Sequence, residues 1–322
     1  MSERTSFTLA PITAPVVISM LVLAFLLAGC AEEGPSGKAE GDASTPLPSL
    51  LVGLMPAVDI APILVASDEG FFRDEGLDFG FEIYTSAQHR QSALQVGAID
   101  GALTDLVALT LNVAAGFEMR ATTSTDGMFL VLGREGDRPA PGDTVSIGLM
   151  EVSVTNFLAE RWLGEELILE KVYINDIGAR LEAAVGGRTD LGVFPEPLAS
   201  VAVARGLSTA ARSSDEEPSP QVMAFTAAAI RDKRGSLYAF HRAYNRAVQA
   251  IREDHGLARD ALVRHIPAIN PDLREAIRLP GYRPVALPEE EFIRTVIDWT
   301  AAITNRELAI IPADLVEPAF LP

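Results

Sequence analysis

Cysteine is nearly absent from this sequence, which has a single one, Cys30, among 322 residues. One thiol excludes an internal disulfide and a zinc site built from several thiolates. The four histidines, His89, His241, His255 and His265, do not have the spacing of metal ligands. A Gly-x-Ser-x-Gly motif and a phosphate-binding loop are also missing. We therefore predict no metal, no cofactor and no catalytic residue.

Basic residues are scarce, with 26 Lys and Arg against 44 Asp and Glu, and the formal net charge is −18. This balance excludes nucleic acid as a partner, because binding its phosphates requires basic patches. The charge does not indicate disorder, because 48% of the residues are hydrophobic. A chain of this length and composition can form a large core, enough for two lobes.

Only one long apolar run occurs, "VVISMLVLAFLLAG", and it ends just before Cys30. Arg4 is the only basic residue before it, and the run is short for a membrane span. We interpret residues 1–29 as a secretory signal peptide. The stretch "LAGC" resembles a bacterial lipobox, which implies that Cys30 carries lipid and anchors the protein. The alternative is an uncleaved signal anchor in which Cys30 is incidental.

Residues 30–49 are rich in Gly, Ser, Pro, Ala and Glu and have no apolar period, as is typical of a flexible tether. Anchor and tether together predict that the folded body works outside the cytoplasmic membrane, in a periplasm or at a cell surface. The sequence does not indicate whether the membrane is inner or outer.

From residue 50 onward, short apolar strands alternate with helices, which predicts an α/β fold with parallel sheets covered by helices. Two polar breaks rich in Gly, Pro or Ser, at 134–143 and 212–221, suggest a discontinuous first lobe with a second lobe inserted. The predicted lobes are 50–138 with 222–322, and 139–221. The two breaks are then the crossovers between the lobes.

Three stretches of the body together resemble one protein family. They are "GLMPAVDIAPILVASDEGFFRDEGLDFGFEIY", "ALQVGAIDGALTD" and "FPEPLA". They are similar to the substrate-binding proteins of bacterial ABC importers for nitrate, sulfonates, taurine and thiamine pyrimidine precursors. The resemblance covers about 50–320. It implies a type II periplasmic-binding-protein fold that closes on a small molecule, with an ABC permease and ATPase as partners, and we expect a monomer.

Ligands of open α/β sheets bind beyond the carboxyl ends of the strands, so candidate ligand-binding residues lie there. Among them is Glu196, held between Pro195 and Pro197 at a strand-to-helix corner. The full set is Asp59, Ser86, Thr104, Asp105, Asp126, Glu151, Ser153, Asp176, Phe194 and Glu196.

Six of these residues are acidic, and Arg180 is the single base among the strand ends. Each acid has an alternative interpretation. Asp59 and Asp105 suit helix N-caps, and Asp126 suits a turn with the glycine that follows it. Glu151 and Glu196 could complement helix N-termini. The aromatic rings Phe129 and Phe194 could form a wall of the site or belong to the core.

An acidic cleft suits a ligand with amino groups, so we predict an amine or aminopyrimidine of the thiamine-precursor type. The first alternative is a receptor for a sulfonate, nitrate or taurine type of anion. A structural surface lipoprotein is a second. A pyrimidine synthase is a third, but that branch of the fold resembled here relies on iron and a cysteine-rich motif, and no cysteine follows Cys30.

Overall fold

The computed structural model describes residues 46–136, 139–214 and 216–321. The predicted signal peptide 1–29, Cys30 and most of the tether 30–49 lie outside the described residues. The strands are β1 Leu50–Leu54, β2 Phe79–Ile83, β3 Gly101–Asp105, β4 Met119–Ser124, β5 Phe129–Arg134, β6 Thr144–Leu149, β7 Ile168–Tyr173, β8 Leu191–Pro195, β9 Leu207–Arg212 and β10 Gln221–Thr226.

The helices begin after most of these strands and cover both sheets. They are α1 Ala61–Asp68, α2 Phe71–Asp74, α3 Ala87–Gln95, α4 Leu106–Ala114, α5 Val154–Leu163, α6 Ile177–Val185, α7 Leu198–Ala204, α8 Ala227–Asp232, α9 Arg234–Glu253, α10 His255–His265, α11 Glu290–Thr304 and α12 Pro312–Leu315. None of the helices in the described part of the chain combines the length and apolar character needed to span a membrane.

The strands form two five-stranded sheets, which define the two lobes. The first sheet has the order β2-β1-β3-β10-β4, and the second has the order β7-β6-β8-β5-β9. In each sheet one strand, β10 or β5, runs antiparallel to its neighbours. The predicted α/β fold with two lobes is confirmed.

The position of β5 corrects the predicted first crossover. We expected the chain to leave the first lobe within residues 134–143, but β5 already pairs with β8 and β9 of the second sheet. The chain crosses at 125–128 instead, and the stretch 134–143 connects β5 to β6. An apolar pattern predicts a strand but not the sheet that it joins. The Gly/Pro break at 134–143 therefore does not mark the point where the chain changes lobe. The chain returns to the first sheet between Arg212 and Gln221.

The two lobes repeat one structural unit, and the residue numbers of α6 and β8 in the second lobe are 90 higher than those of α3 and β3 in the first. The backbone N–H of Asp100, just before β3, donates to the Leu51 carbonyl of β1 at 2.8 Å, and the Asp100 carboxylate accepts the Leu51 N–H at 2.8 Å. Asp190, just before β8, does the same with β6, and its carboxylate accepts the Ser146 N–H at 2.8 Å. The strand edges that bear candidate site residues therefore have the same framework in both lobes.

Candidate functional site

The carboxyl ends of the parallel strands form one edge in each lobe, and the two edges touch. The backbone N–H of Val58, after β1, donates to the carbonyl oxygen of Glu196, after β8, at 3.0 Å. The hydroxyl of Ser200 in α7 also crosses, donating to the Ala276 carbonyl at 2.8 Å. The predicted location of the site therefore coincides with a contact between the lobes.

Asp59 lies in a single 3₁₀ turn after β1 and is only 1% exposed. Its Oδ2 accepts a hydrogen bond from Nε2 of Gln221 at 3.1 Å, whereas its Oδ1 has no partner. Burial raises the pKa of this carboxyl to about 6, because the charged form loses its hydration. The residue before α1 is Ile60, so Asp59 is not an N-cap of that helix.

Asp105 ends β3 and caps α4, accepting the Ala108 N–H at 2.9 Å. Burial raises the pKa of its carboxyl, while the nearby Arg90 acts in the opposite direction. Arg90 is buried, and it donates to the Leu103 carbonyl at 2.6 Å and to the Thr104 hydroxyl at 3.2 Å. Its charge also favours the ionised form of Asp59, so one arginine stabilises both carboxylates.

Asp126, in the first crossover, is 5% exposed and pairs with Arg283. The backbone N–H of Arg283 donates to Oδ2 at 2.7 Å, and its Nε donates to Oδ1 at 2.6 Å. Arg283 belongs to residues 280–287, which we call the strap, a segment without regular structure that runs across the strand ends. Tyr282, also in the strap, donates its hydroxyl to the Val58 carbonyl at 2.8 Å.

Several predicted residues act as helix N-caps at the strand ends. The Ser86 hydroxyl accepts the first-turn N–H of α3 at 3.4 Å. The Ser153 hydroxyl accepts from α5 at 3.4 Å, and the Asp176 carboxylate accepts from α6 at 2.7 Å. The side chain of Glu151 is exposed, and its carbonyl accepts a hydrogen bond from Asn156. These four contribute to helix starts whether or not they also contact a ligand.

Glu196 is fully buried at the lobe contact, and the peptide bond to Pro197 is cis. Its Oε2 accepts the backbone N–H of Ser200 at 3.0 Å, and its Oε1 lies 3.0 Å from the Ser200 hydroxyl, whose single hydrogen it shares with the Ala276 carbonyl. Burial raises the pKa of this carboxyl, whereas these hydrogen bonds and Arg278 lower it. Glu196 thus complements the start of α7, the alternative interpretation made from sequence, and it does so beside the first lobe.

Both candidate aromatic residues belong to the core. Phe194 is fully buried, and its ring lies next to Gly192, where an added Cβ would come within 2.7 Å of it. Phe129 is 5% exposed and packs in the cluster that contains Val131 and Leu158. We find no aromatic wall formed by these two rings.

The predictions missed several residues of the site: Arg90, Gln221, Tyr244, Tyr282 and Arg283. Arg90 belongs to a helix that reads as polar and exposed, and the strap has no periodic pattern. Gln221 is the last residue of the polar break 212–221 and the first residue of β10. Its place at the end of a predicted crossover was a signal that could have identified it from the sequence. The site is less one-sided in charge than expected, because it contains arginines as well as acids.

A cavity of about 20 Å³ lies where the two crossovers, α5 and the strap meet. This is room for one group of the size of a water molecule. Its lining includes Asp126, Leu158, Trp162, Ser219, Gly281 and Arg283. Among the described residues, no group of three or more His, Cys, Asp or Glu side chains could hold a metal ion.

Comparisons with known proteins place this geometry in context. The sequence model of a family described as the NMT1-like family matches residues 43–264. A search of curated protein sequences gave no significant match.

The fold is similar to many solved structures, and the three described here have low sequence identity to this chain. A ligand-binding component of an ABC-type import system from Staphylococcus aureus, with zinc bound, has a TM-score of 0.71 at 15% identity, covering 84% of this chain and 97% of that one. The alkanesulfonate-binding protein of Xanthomonas axonopodis pv. citri, bound to MOPS, has a TM-score of 0.66 at 15% identity, covering 84% and 98%.

The periplasmic nitrate-binding protein of Synechocystis PCC 6803 has a TM-score of 0.55 at 14% identity, covering 67% of this chain and 66% of that one. These likenesses confirm the type II periplasmic-binding-protein fold that the sequence resemblance implied. At such identities they carry no information on the ligand.

Proposed function

Because the chain belongs to the NMT1-like family, we propose that it is the extracytoplasmic solute receptor of an ABC importer. It binds a small amine or aminopyrimidine between its lobes and catalyses no reaction. The observation that carries the ligand class is the set of acids at the edge of the first lobe. Asp59 is buried and Asp105 is half-buried there, and the charge of one arginine, Arg90, favours the ionised form of both.

When burial raises the pKa of a carboxyl, its charged form is destabilised at neutral pH, and a bound cation stabilises that form. A raised pKa is found for Asp59, Asp105 and Glu196, and burial is the main cause each time. As the cleft closes and excludes water, an anionic solute would be repelled by the negative charges of these three carboxyls. The acids therefore favour a solute with amino groups or positive charge.

Thermal-shift measurements with amines, aminopyrimidines, alkanesulfonates and nitrate test the ligand class. At a hundredfold excess over Kd, a ligand specific to the native state stabilises by about 2.7 kcal/mol, or roughly 5–10 °C for a chain of this size. We expect aminopyrimidines or other amines to give this shift. Glu196→Gln and Asp105→Asn should reduce it without unfolding the protein.

A second candidate ligand is an anion of the sulfonate or nitrate type. Two structures of similar fold bind such ions by their descriptions, and Arg90 and Arg180 are buried cations at equivalent positions in the two lobes. Stabilisation by sulfonates or nitrate that is undiminished in Glu196→Gln and Asp105→Asn would favour this candidate. It would leave the two acids as helix caps.

The receptor is attached to the membrane by lipid on Cys30, as the lipobox resemblance suggests. Cys30→Ser should release the protein from the membrane fraction of its host after a salt wash. A variant that stays in the membrane would instead indicate an uncleaved anchor helix.

The receptor acts as a monomer with a permease and an ATPase, and its lobes close on the solute. Closure follows from contacts that a ligand makes with both lobes at once. The radius of gyration from small-angle X-ray scattering should fall on saturation with ligand. An unchanged radius would contradict closure.

A further inference from the structure

Three buried side chains beside the first crossover each have a polar atom without a hydrogen-bond partner. They are Oδ1 of Asp59, Oε1 of Gln221 and the hydroxyl of Tyr244. Asp59 and Gln221 are hydrogen-bonded to each other, and the pKa of Tyr244 is raised by burial first, then by the charges of Asp126 and Asp59. Buried polar groups usually find partners, so unpartnered oxygens on the two hydrogen-bonded side chains, Asp59 and Gln221, indicate a site.

The orientation of the Gln221 amide is fixed by its neighbour. Its Nε2 donates to Oδ2 of Asp59 at 3.1 Å, and a flipped amide would instead oppose two oxygens. Oε1 of Gln221 therefore faces away from Asp59 Oδ2 as an acceptor. Asp59 Oδ1 is a second acceptor, so the pair requires N–H or O–H donors.

This arrangement discriminates between classes of ligand. Each of the two oxygens needs a donor, and an amidine, an aminopyrimidine or an ammonium group carries two or more N–H donors. A sulfonate or nitrate has no N–H donor for these two acceptors, one of which is a carboxylate oxygen. An unsatisfied buried carboxylate oxygen is costly, so a donor gains much from binding here.

Gln221 also connects this pair to the hinge of the molecule. Its carbonyl accepts the N–H of Thr125 at 2.9 Å, joining the return crossover to the first one. The N–H of Gly127 donates to the Ser219 hydroxyl at 3.3 Å, and an added Cβ at Gly127 would come within 2.7 Å of Gln221. A ligand held by Gln221 therefore acts directly on the two segments that must bend when the lobes close.

We infer that Asp59 Oδ1 and Gln221 Oε1 together accept N–H donors from an amidine-like or amino group of the solute, at the joint of the two crossovers. This inference rests on the proposed solute-receptor function and names the atoms that recognise the ligand.

The test uses 4-amino-2-methylpyrimidine and acetamidine as probes, with calorimetric titration of the full-length protein in detergent. Losing a hydrogen bond to a charged group weakens binding by about 10- to 150-fold, so Asp59→Asn should show a loss of this size. Gln221→Met keeps the side-chain volume and should weaken binding by about tenfold. Asp254→Asn is the control, because Asp254 caps α10 away from the site.

A second readout does not depend on any ligand. Asp59 is faced by Gln221, Arg90, Asp126, Tyr244 and Tyr282. Asp59→Asn should be more stable than the wild type at pH 7.5, with the difference vanishing below pH 4. If Asp59→Asn and the wild type are equally stable at both pH values, burial does not destabilise the Asp59 carboxylate, and the inference is wrong.

The possible failures are distinguishable. Probe binding that is unchanged in both Asp59→Asn and Gln221→Met overturns this inference and leaves the amine receptor standing. If no amine binds the wild type while sulfonates or nitrate do, the amine function and this inference fail together. If Asp59→Asn is more stable at pH 7.5 and the wild type still binds neither probe, the oxygens serve structural water and the inference is wrong.

Discussion

The strand edge of the first lobe buries two of its three acids and half-buries Asp105, whereas two of the three acids at the edge of the second lobe are exposed. Asp59 and Asp126 are 1% and 5% exposed, while Glu151 and Asp176 are exposed. The framework of the two edges is the same, so the framework does not cause this difference. The cause lies in segments that only the first lobe has, namely α9, α10 and the strap.

The same comparison holds for the outer strands. Phe79 in β2 stacks on Phe72 at 3.9 Å and contacts Phe240 of α9. In β7, the outer strand of the second sheet, Ile168 is 60% exposed and Tyr173 is 46% exposed. We infer that the first lobe carries most of the stability and the recognition chemistry, and that the second lobe mainly covers the ligand.

The largest expected effect is on the apolar core of the first lobe. Phe240→Ala should lower the free energy of unfolding by about 3–5 kcal/mol, because the ring is fully buried among aromatic neighbours. Ile168→Ala on β7 should cost less than about 1 kcal/mol. Urea denaturation measures both, and similar losses would contradict the difference between the lobes.

The second largest effect is the difference in stability loss between substitutions of the two equivalent arginines, Arg90 and Arg180. Arg90→Met leaves Asp59 and Asp105 without their shared cation and should cost about 3 kcal/mol. Arg180 donates to the Val193 carbonyl at 3.1 Å, and its nearest acid, Asp176, is exposed. Arg180→Met should therefore change stability by less than about 1 kcal/mol. A larger loss at Arg180 than at Arg90 would reverse the comparison.

The pH dependence of stability sharpens the comparison further. The pKa of Asp59 rises from 3.8 to about 6 on folding, so the unfolded chain binds fewer protons in this range. This carboxyl therefore makes the wild type lose stability as pH rises from about 4 to 6, by about 2–3 kcal/mol. Asp59→Asn should remove this loss, whereas Asp176→Asn should not. Urea midpoints between pH 4 and 8 provide the measurement.

Much of the fold could be predicted from the sequence because most of its strands and helices are short and periodic. The assignment of β5 to a sheet could not, because "MFLVLGR" is apolar whichever sheet it joins. The apolar stretch "VMAFTAAAI" by itself predicts an extended segment throughout, but the strand ends at Thr226, whose hydroxyl accepts the Ala229 N–H at 3.2 Å and caps α8. A single threonine among apolar residues was too weak a signal for that boundary.

The site was predicted less completely than the fold. Acids at the strand ends were identified because parallel strands end at one edge. Their partners Arg90, Gln221 and Arg283 come from a helix face, a strand start and the strap, each distant in sequence from the acid it contacts. Contacts of this kind depend on how elements pack, and a pattern along one segment does not contain that information.

Native mass spectrometry of the protein purified from its host tests the central claim most directly. We predict that the folded protein carries one small compound per chain, and that this compound, released on unfolding, contains an amino or amidine group. The same compound should be absent from Asp59→Asn prepared in the same way. A bound sulfonate or nitrate, or an unchanged level of the compound in Asp59→Asn, would contradict this account.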